Sequence, residues 1–341
     1  MIFWSRTQSQ AEGQFDEFAQ KFAEVPGKVR PANDQPGLWP AALWINLLQL
    51  PFPRPAEFWV SRSGNQRIGA NISLTQPDVG FIGFFETKTD PSELSIAHDL
   101  LTQTESFLRS QGAKKIYGPL NYNTWFPYRF GLPHTDHLRF TWEPAQPEPY
   151  LQLWLKAGYQ ICETYQSVGL HGLTEYALKT EGSYRQALSR GYQFRMFDVA
   201  HLESKEIPAL YQLSMAGFQE NFLFEPLDLQ GFSQIYVPAM KKADLSYSFF
   251  ALDPHGKEVG FFYGFADQGY LVLKTTAIHP DHRGQGLSNA LTYLQTNVAI
   301  QNGLKGFITA LVRKGAQSES YKKKAEALWT HDYVLLEKQS P

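Results

Sequence analysis

The chain carries a single cysteine, Cys162, among 341 residues, so no intrachain disulfide can form and a reducing, cytoplasmic setting is the default. Flanked by Ile161 and Glu163 in an extended apolar pattern, that thiol reads as a small core residue rather than a nucleophile. Basic clusters are also scarce: Lys322-Lys323-Lys324 is the one run in a chain with 31 Lys and Arg against 33 Asp and Glu, a net charge of −2. Phosphate backbones demand many spread cationic contacts, which argues against a nucleic-acid surface; the lysine run reads as a solvated helix face. No stretch reaches the about 20 uncharged apolar residues needed to cross a bilayer. Met1 to Gln10 lacks a basic region followed by an apolar run, so no signal peptide is expected. What remains is an ordinary globular composition, 43% hydrophobic and 19% charged, long enough for two buried cores. The expectation is a soluble cytoplasmic protein, monomer or homodimer, with neither a nucleic-acid nor a membrane partner.

Hydrophobic periodicity orders the chain. An amphipathic helix is expected over 11–25, with Pro26 as its stop, and a Pro-interrupted stretch over 26–56 leaves room for one short helix near Ala41 to Leu48. Three strands follow (57–63, 67–74, 79–86), then a helix ending at Gly112. Asp90, Pro91 and Glu93 suit the N-cap, first and reciprocal capping positions of that helix. An aromatic-rich loop from Asn121 to Pro149, a short helix and a strand over 161–170 complete the first half, and Glu175 to Arg190 reads as a linking helix. The second half runs strand, two helices, strands over 246–252 and 258–265, then Tyr270 to Ile278. Strand, turn, helix, glycine and Lys-bearing strand thus occur twice, with stop glycines at Gly112 and Gly303.

The most informative stretch is the second of these. Tyr270 to Ile278 alternates as a strand, and Leu287, Ala290, Leu291, Leu294 and Val298 recur at helical spacing. Between them lies His279-Pro280-Asp281-His282-Arg283-Gly284-Gln285-Gly286. A helix start offers unpartnered N–H groups and the positive dipole end, so a phosphate can sit there if no side chain blocks it. Gly284 and Gly286 remove the block and Arg283 adds charge. No Gly-Lys-Ser/Thr follows, and the third glycine of a dinucleotide fingerprint would fall at Asn289, so neither a Walker loop nor a Rossmann loop is present. His279 and His282 have the spacing of two metal ligands without a third, so no metal is expected.

The segment Ile278 to Ser288 resembles the acetyl-CoA pyrophosphate loop of the GNAT acyltransferases, Arg/Gln-x-x-Gly-x-Gly/Ala after a hydrophobic-x-Pro segment. The match begins at Arg283; Ser288 stands where the family has Gly or Ala. The resemblance is specific over 193–338 and looser over 10–170. It implies an α/β fold with a mixed sheet, the acyl-CoA N-acyltransferase fold used in two tandem GNAT-like domains. They are a degenerate domain over 1–170, a linking helix over 171–192 and a catalytic domain over 193–341.

The resemblance further implies acetyl-CoA as co-substrate, bound by Arg283, Gly284, Gln285, Gly286, Leu287 and Ser288, with Ser318 on the CoA arm. It assigns the oxyanion donor to the backbone N–H of Ala277 or Ile278 and the acid for the leaving sulfur to Tyr321. The usual Asn and Gly-Phe of the helix bearing that Tyr are absent; Lys314 and Ala325-Glu326 stand there instead. Glu220 and Glu225, in the loop that borders the acceptor site in the family, are candidates for the base. The activity implied is acetyl or short-acyl transfer to a primary amine of a small-molecule or peptide acceptor. A non-catalytic acyl-CoA-binding module is the alternative. The first half, with carboxylates at its helix start, is expected not to bind CoA and to shape the acceptor pocket.

Overall fold

The computed structural model describes residues 3–30, 40–134, 139–315 and 327–339. The chain divides into two compact units: Met1–Thr135, Thr141–Thr164 and Asp332–Pro341 form the first, Asp136–Phe140 and Tyr165–His331 the second.

The first unit starts with β1 (Phe3–Ser5), α1 (Arg6–Ala11), α2 (Phe15–Val29) and α3 (Ala41–Gln49). Pro26 does not stop α2 but lies inside it. A proline has no N–H for the carbonyl four residues back; that carbonyl, Phe22 O, instead accepts from Nη1 of the buried Arg67 at 3.1 Å. Strands β2 (Ala56–Ser61), β3 (Gln66–Ile72) and β4 (Val79–Thr87) pair antiparallel in sequence. Helix α4 (Pro91–Ser110) then carries the chain to β5 (Lys115–Gly118), parallel to β4. After β6 (Phe130–Gly131), α5 (Glu148–Lys156) and β7 (Gln160–Leu170), the second unit begins part-way through β7. The first core packs Leu100, Leu101 and Leu108 of α4 and Trp154 of α5 against Ile68, Ile82 and Ile116 of the strands. Cys162 donates to Leu335 O at 3.3 Å, and burial, then Glu337 and Glu163, push its thiol up to about 12, so it stays protonated and unreactive.

The second unit contains α6 (Leu173–Ser189), β8 (Gln193–Met196), α7 (Ile207–Phe218), α8 (Leu229–Met240), β9 (Phe249–Leu252), β10 (Glu258–Asp267), β11 (Tyr270–Ile278), α9 (Leu287–Gln301) and β12 (Gly306–Arg313). Its strand order is β7-β12-β11-β10-β9-β8, antiparallel except for the parallel pair β11 and β12. The final strand, β13 (Ala327–Gln339), ends in the first unit, where Leu336 pairs with Gly118 of β5. Helix α6, read from sequence as a linker, is a packed element of the second core: Tyr176 lies tilted against Phe307 of β12 at 4.6 Å and Tyr184 stacks on Tyr293 of α9 at 4.9 Å. Ser183 of α6 stands beside Gly286 at the start of α9.

Candidate functional site

In the second unit β11 and β12 are paired from Tyr270↔Gly306 to Leu273↔Thr309 and then part. The cause lies on both strands. Lys274 is an extra residue in β11, between the Leu273↔Gly264 and Thr275↔Tyr263 pairs with β10. On β12 the register to β7 shifts after Thr309, Leu311 takes φ +56, and its N–H is held by Ser167 Oγ at 2.9 Å. A bulge on each strand bends the two apart and opens a cleft between their C-terminal ends.

Backbone alternation decides which amide faces that cleft. His279 N–H reaches Val259 O of β10 at 2.8 Å, and Ile278 sits opposite Gly260. Ala277 N–H, two residues back, therefore points to β10 as well, whereas Ile278 N–H points to the side that β12 has left. Of the two residues named for an oxyanion donor, Ile278 is the one whose N–H the register turns away from β10. Ala277 instead packs its methyl under α7, where a Cβ on Gly217 would come within 2.9 Å of it.

Pro280–His282 form one 3₁₀ turn after the strand, with Arg283 N–H closing on Pro280 O at 3.2 Å. Gly284 and Gly286 both take φ +76, a left-handed backbone that a branched side chain opposes. Gly286 is the N-cap of α9 and no side chain among the described residues caps it, so the first-turn N–H groups of Leu287, Ser288 and Asn289 keep their hydrogen-bonding capacity there. The space where a Cβ on Gly284 would lie is open. Uncapped amides, a positive dipole end and an unblocked approach suit a pyrophosphate.

Arg283 Nη1 pairs with Glu220 at 2.8 Å and its Nη2 donates to Gly217 O at 3.0 Å. Glu220, exposed, is thus engaged by Arg283, while Glu225 is buried in the same α7–α8 loop at 2% exposure. Phe222 of that loop lies under the Arg313 guanidinium at 4.7 Å, which brings the loop to the end of β12. His282 Nδ1 meets Tyr192 OH at 3.0 Å, and His279 Nδ1 accepts from Asp281 N at 3.4 Å. Ser318 and Tyr321 lie outside the described residues.

Two groups have no signal in the linear chain. Arg190 donates from Nη1 to Gln285 Oε1 at 2.7 Å across 95 residues of sequence, a contact no local pattern announces. Tyr263 is buried on β10 opposite Thr275, its hydroxyl without a partner among the described residues, and burial pushes its phenol pKa up.

A bulged strand that parts from its parallel neighbour and runs through a glycine turn into an uncapped helix characterises one fold, and comparison with solved structures agrees. A tandem GNAT protein from the clavulanic acid biosynthesis pathway is 11% identical, with 96% of each chain covered and a TM-score of 0.52. The fold is that of the GNAT acyltransferases. A probable N-acyltransferase from Enterococcus faecalis V583 aligns at 8% identity over 99% of this chain and 73% of its own, TM-score 0.55. A GCN5-related N-acetyltransferase from Kribbella flavida aligns at 11% over 96% and 69%, TM-score 0.54. Neither a protein-family model nor a curated protein matches the chain. At such identities the likeness speaks for the fold alone, and the residues must carry the function.

Proposed function

We propose that the chain is an acyl-CoA-dependent N-acyltransferase whose second unit binds the thioester and an amine acceptor. The observation that carries the reading is the cleft between β11 and β12, with Ile278 N–H directed to it and the uncapped start of α9 a short loop away. An acyl-CoA supplies an activated acyl group and a thiol leaving group. The first-turn amides of α9 hold the pyrophosphate, and Ile278 N–H stabilises negative charge as it grows on the acyl oxygen. Glu225, buried in the α7–α8 loop, is the proposed proton acceptor from the amine. Tyr321, by the family pattern, donates to the departing sulfur. Acetyl or another short acyl group is the proposed donor moiety, and a primary amine on a small molecule or peptide the acceptor.

One observation favours the second reading, a binding module without turnover: Glu220 is neutralised by Arg283. A thiol-release screen of short acyl-CoAs against mixed amines, followed by mass measurement of the product, separates the two. Amine-dependent thiol with an acylated product is expected. Measurable CoA binding with no release across the panel establishes the module, and no binding at all removes both readings.

A further inference from the structure

Helix α6 lies upstream of the GNAT strand and helix series, and its C-terminal end stands beside the start of α9. We infer that Arg190, at the C-cap of α6, is a phosphate-binding residue for the nucleotide end of CoA, an inference that rests on the function proposed above. Among the described residues two guanidinium groups belong to or bond the strand-to-helix loop, those of Arg283 and Arg190. Arg283 is paired with Glu220. Arg190 makes one side-chain hydrogen bond among the described residues, from Nη1 to the neutral amide oxygen of Gln285.

That contact points to a ligand because of where it holds the charge. Gln285 stands between Gly284 and Gly286, whose left-handed turns open the approach to the first amides of α9. Its side chain therefore works as a bracket, fixing a full positive charge beside the amide cradle and leaving the remaining guanidinium donors for an anion. A planar guanidinium takes two phosphate oxygens at once, which a lysine ammonium does not. The backbone of Arg190, with φ −90 and ψ 5, ends α6, and the negative end of that helix dipole makes the position favourable for a cation before any ligand arrives. The shared chemistry is a phosphate of CoA, either the pyrophosphate or the 3′-phosphate.

Calorimetric titration of the full chain with CoA, 3′-dephospho-CoA and acetyl-pantetheine, for wild type, Arg190→Gln and Arg190→Lys, tests the assignment. Arg190→Gln is expected to weaken CoA about tenfold, with a shallower salt dependence and unchanged acetyl-pantetheine binding. Arg190→Lys is expected to recover part of the loss. A tenfold gap that vanishes with 3′-dephospho-CoA assigns the 3′-phosphate; one that persists assigns the pyrophosphate. In turnover the same variant raises KM for the acyl-CoA and leaves kcat unchanged. CoA affinity equal to wild type in a folded Arg190→Gln protein overturns the inference and leaves the CoA site standing. A wild type that binds no CoA overturns the site and the inference together.

Discussion

The strand–helix–strand segments of the two units start from one plan and end with opposite surfaces. In the second unit β11 and β12 separate after Leu273↔Thr309, and no further pairing joins them among the described residues. In the first, β4 and β5 part after Phe81↔Tyr117, but the chain that follows β5 refills the opening: Leu120 N–H bonds Ile82 O at 2.8 Å, and Asn121 Oδ1 accepts from Phe84 N–H at 2.5 Å. Gly83 permits that approach, since a Cβ there would stand 2.2 Å from Leu120 O. The helix starts diverge likewise. Gly286 leaves α9 uncapped, whereas Asp90 caps α4 by accepting from Glu93 N–H at 3.2 Å and Ser92 Oγ at 2.7 Å. The reciprocal half of that capping box is not made, because Glu93 accepts instead from Asn65 Nδ2 at 2.7 Å and from Gln66. On the far side of the sheet, rings of Phe22, Trp44, Phe58 and Phe84 pack edge to face or tilted and fill the layer under α2 and α3. One fold therefore presents its parted strands and helix start differently, depending on whether the neighbouring chain supplies their partners among the described residues.

The sharpest break of this comparison is Gly286→Val. A branched residue at φ +76 beside the phosphate approach is expected to lower CoA affinity at least a hundredfold while far-ultraviolet circular dichroism stays that of the wild type. Unchanged affinity in the folded variant removes the second unit's claim to be the open one. Next comes Gly83→Ala, which drives a methyl into the Leu120 carbonyl; a loss of about 3 kcal/mol or more in denaturant unfolding is expected, with CoA affinity per folded molecule retained. A stability within error of wild type would mean the first cleft is not held shut there.

Asn121→Ala strips the Phe84 N–H of its partner and is expected to cost about 1–3 kcal/mol. Its second readout is stoichiometry: calorimetry is expected to count one CoA per chain, as in wild type, because Asp90 still caps α4. Two equivalents would show that Asn121 alone keeps the first unit closed. The smallest effect belongs to Asp90. Its hydrogen bonds from Ser92 Oγ and Glu93 N–H hold its carboxyl below the ordinary value, so its contribution is present above the unfolded pKa and fades as pH falls through the lower folded one. Asp90→Ala is expected to speed amide exchange in the first turn of α4 at neutral pH and to make no difference once the wild-type carboxyl is protonated. A difference that persists in acid would place the effect elsewhere.

Much of this architecture was legible in the linear chain, for local reasons. Tyr270–Ile278 was read to the residue because strand alternation and the Pro280 turn bound it on either side. The start of α9 was readable because only glycine accepts two left-handed positions so close together. Asp90-Pro91 announced the capped helix by the same kind of short-range chemistry. What failed was non-local. Pro26 was expected to end α2, but a carbonyl freed by proline ends a helix only if nothing else satisfies it, and Arg67 arrives from 45 residues away. Likewise no local pattern announces that Arg283 pairs with Glu220 and donates to the Gly217 carbonyl.

By itself, then, the sequence determined the order of elements, the glycine turn and the resemblance they carry, since these rest on periodicity, backbone freedom and capping within a few residues. The tertiary structure alone decided where each parallel strand pair parts, that Ile278 rather than Ala277 turns its N–H away from β10, and that Arg283 pairs with Glu220 while Arg190 bonds Gln285. Register, splay and ion pairing all join residues far apart in the chain, and a linear pattern carries no signal of a partner that only folding brings near.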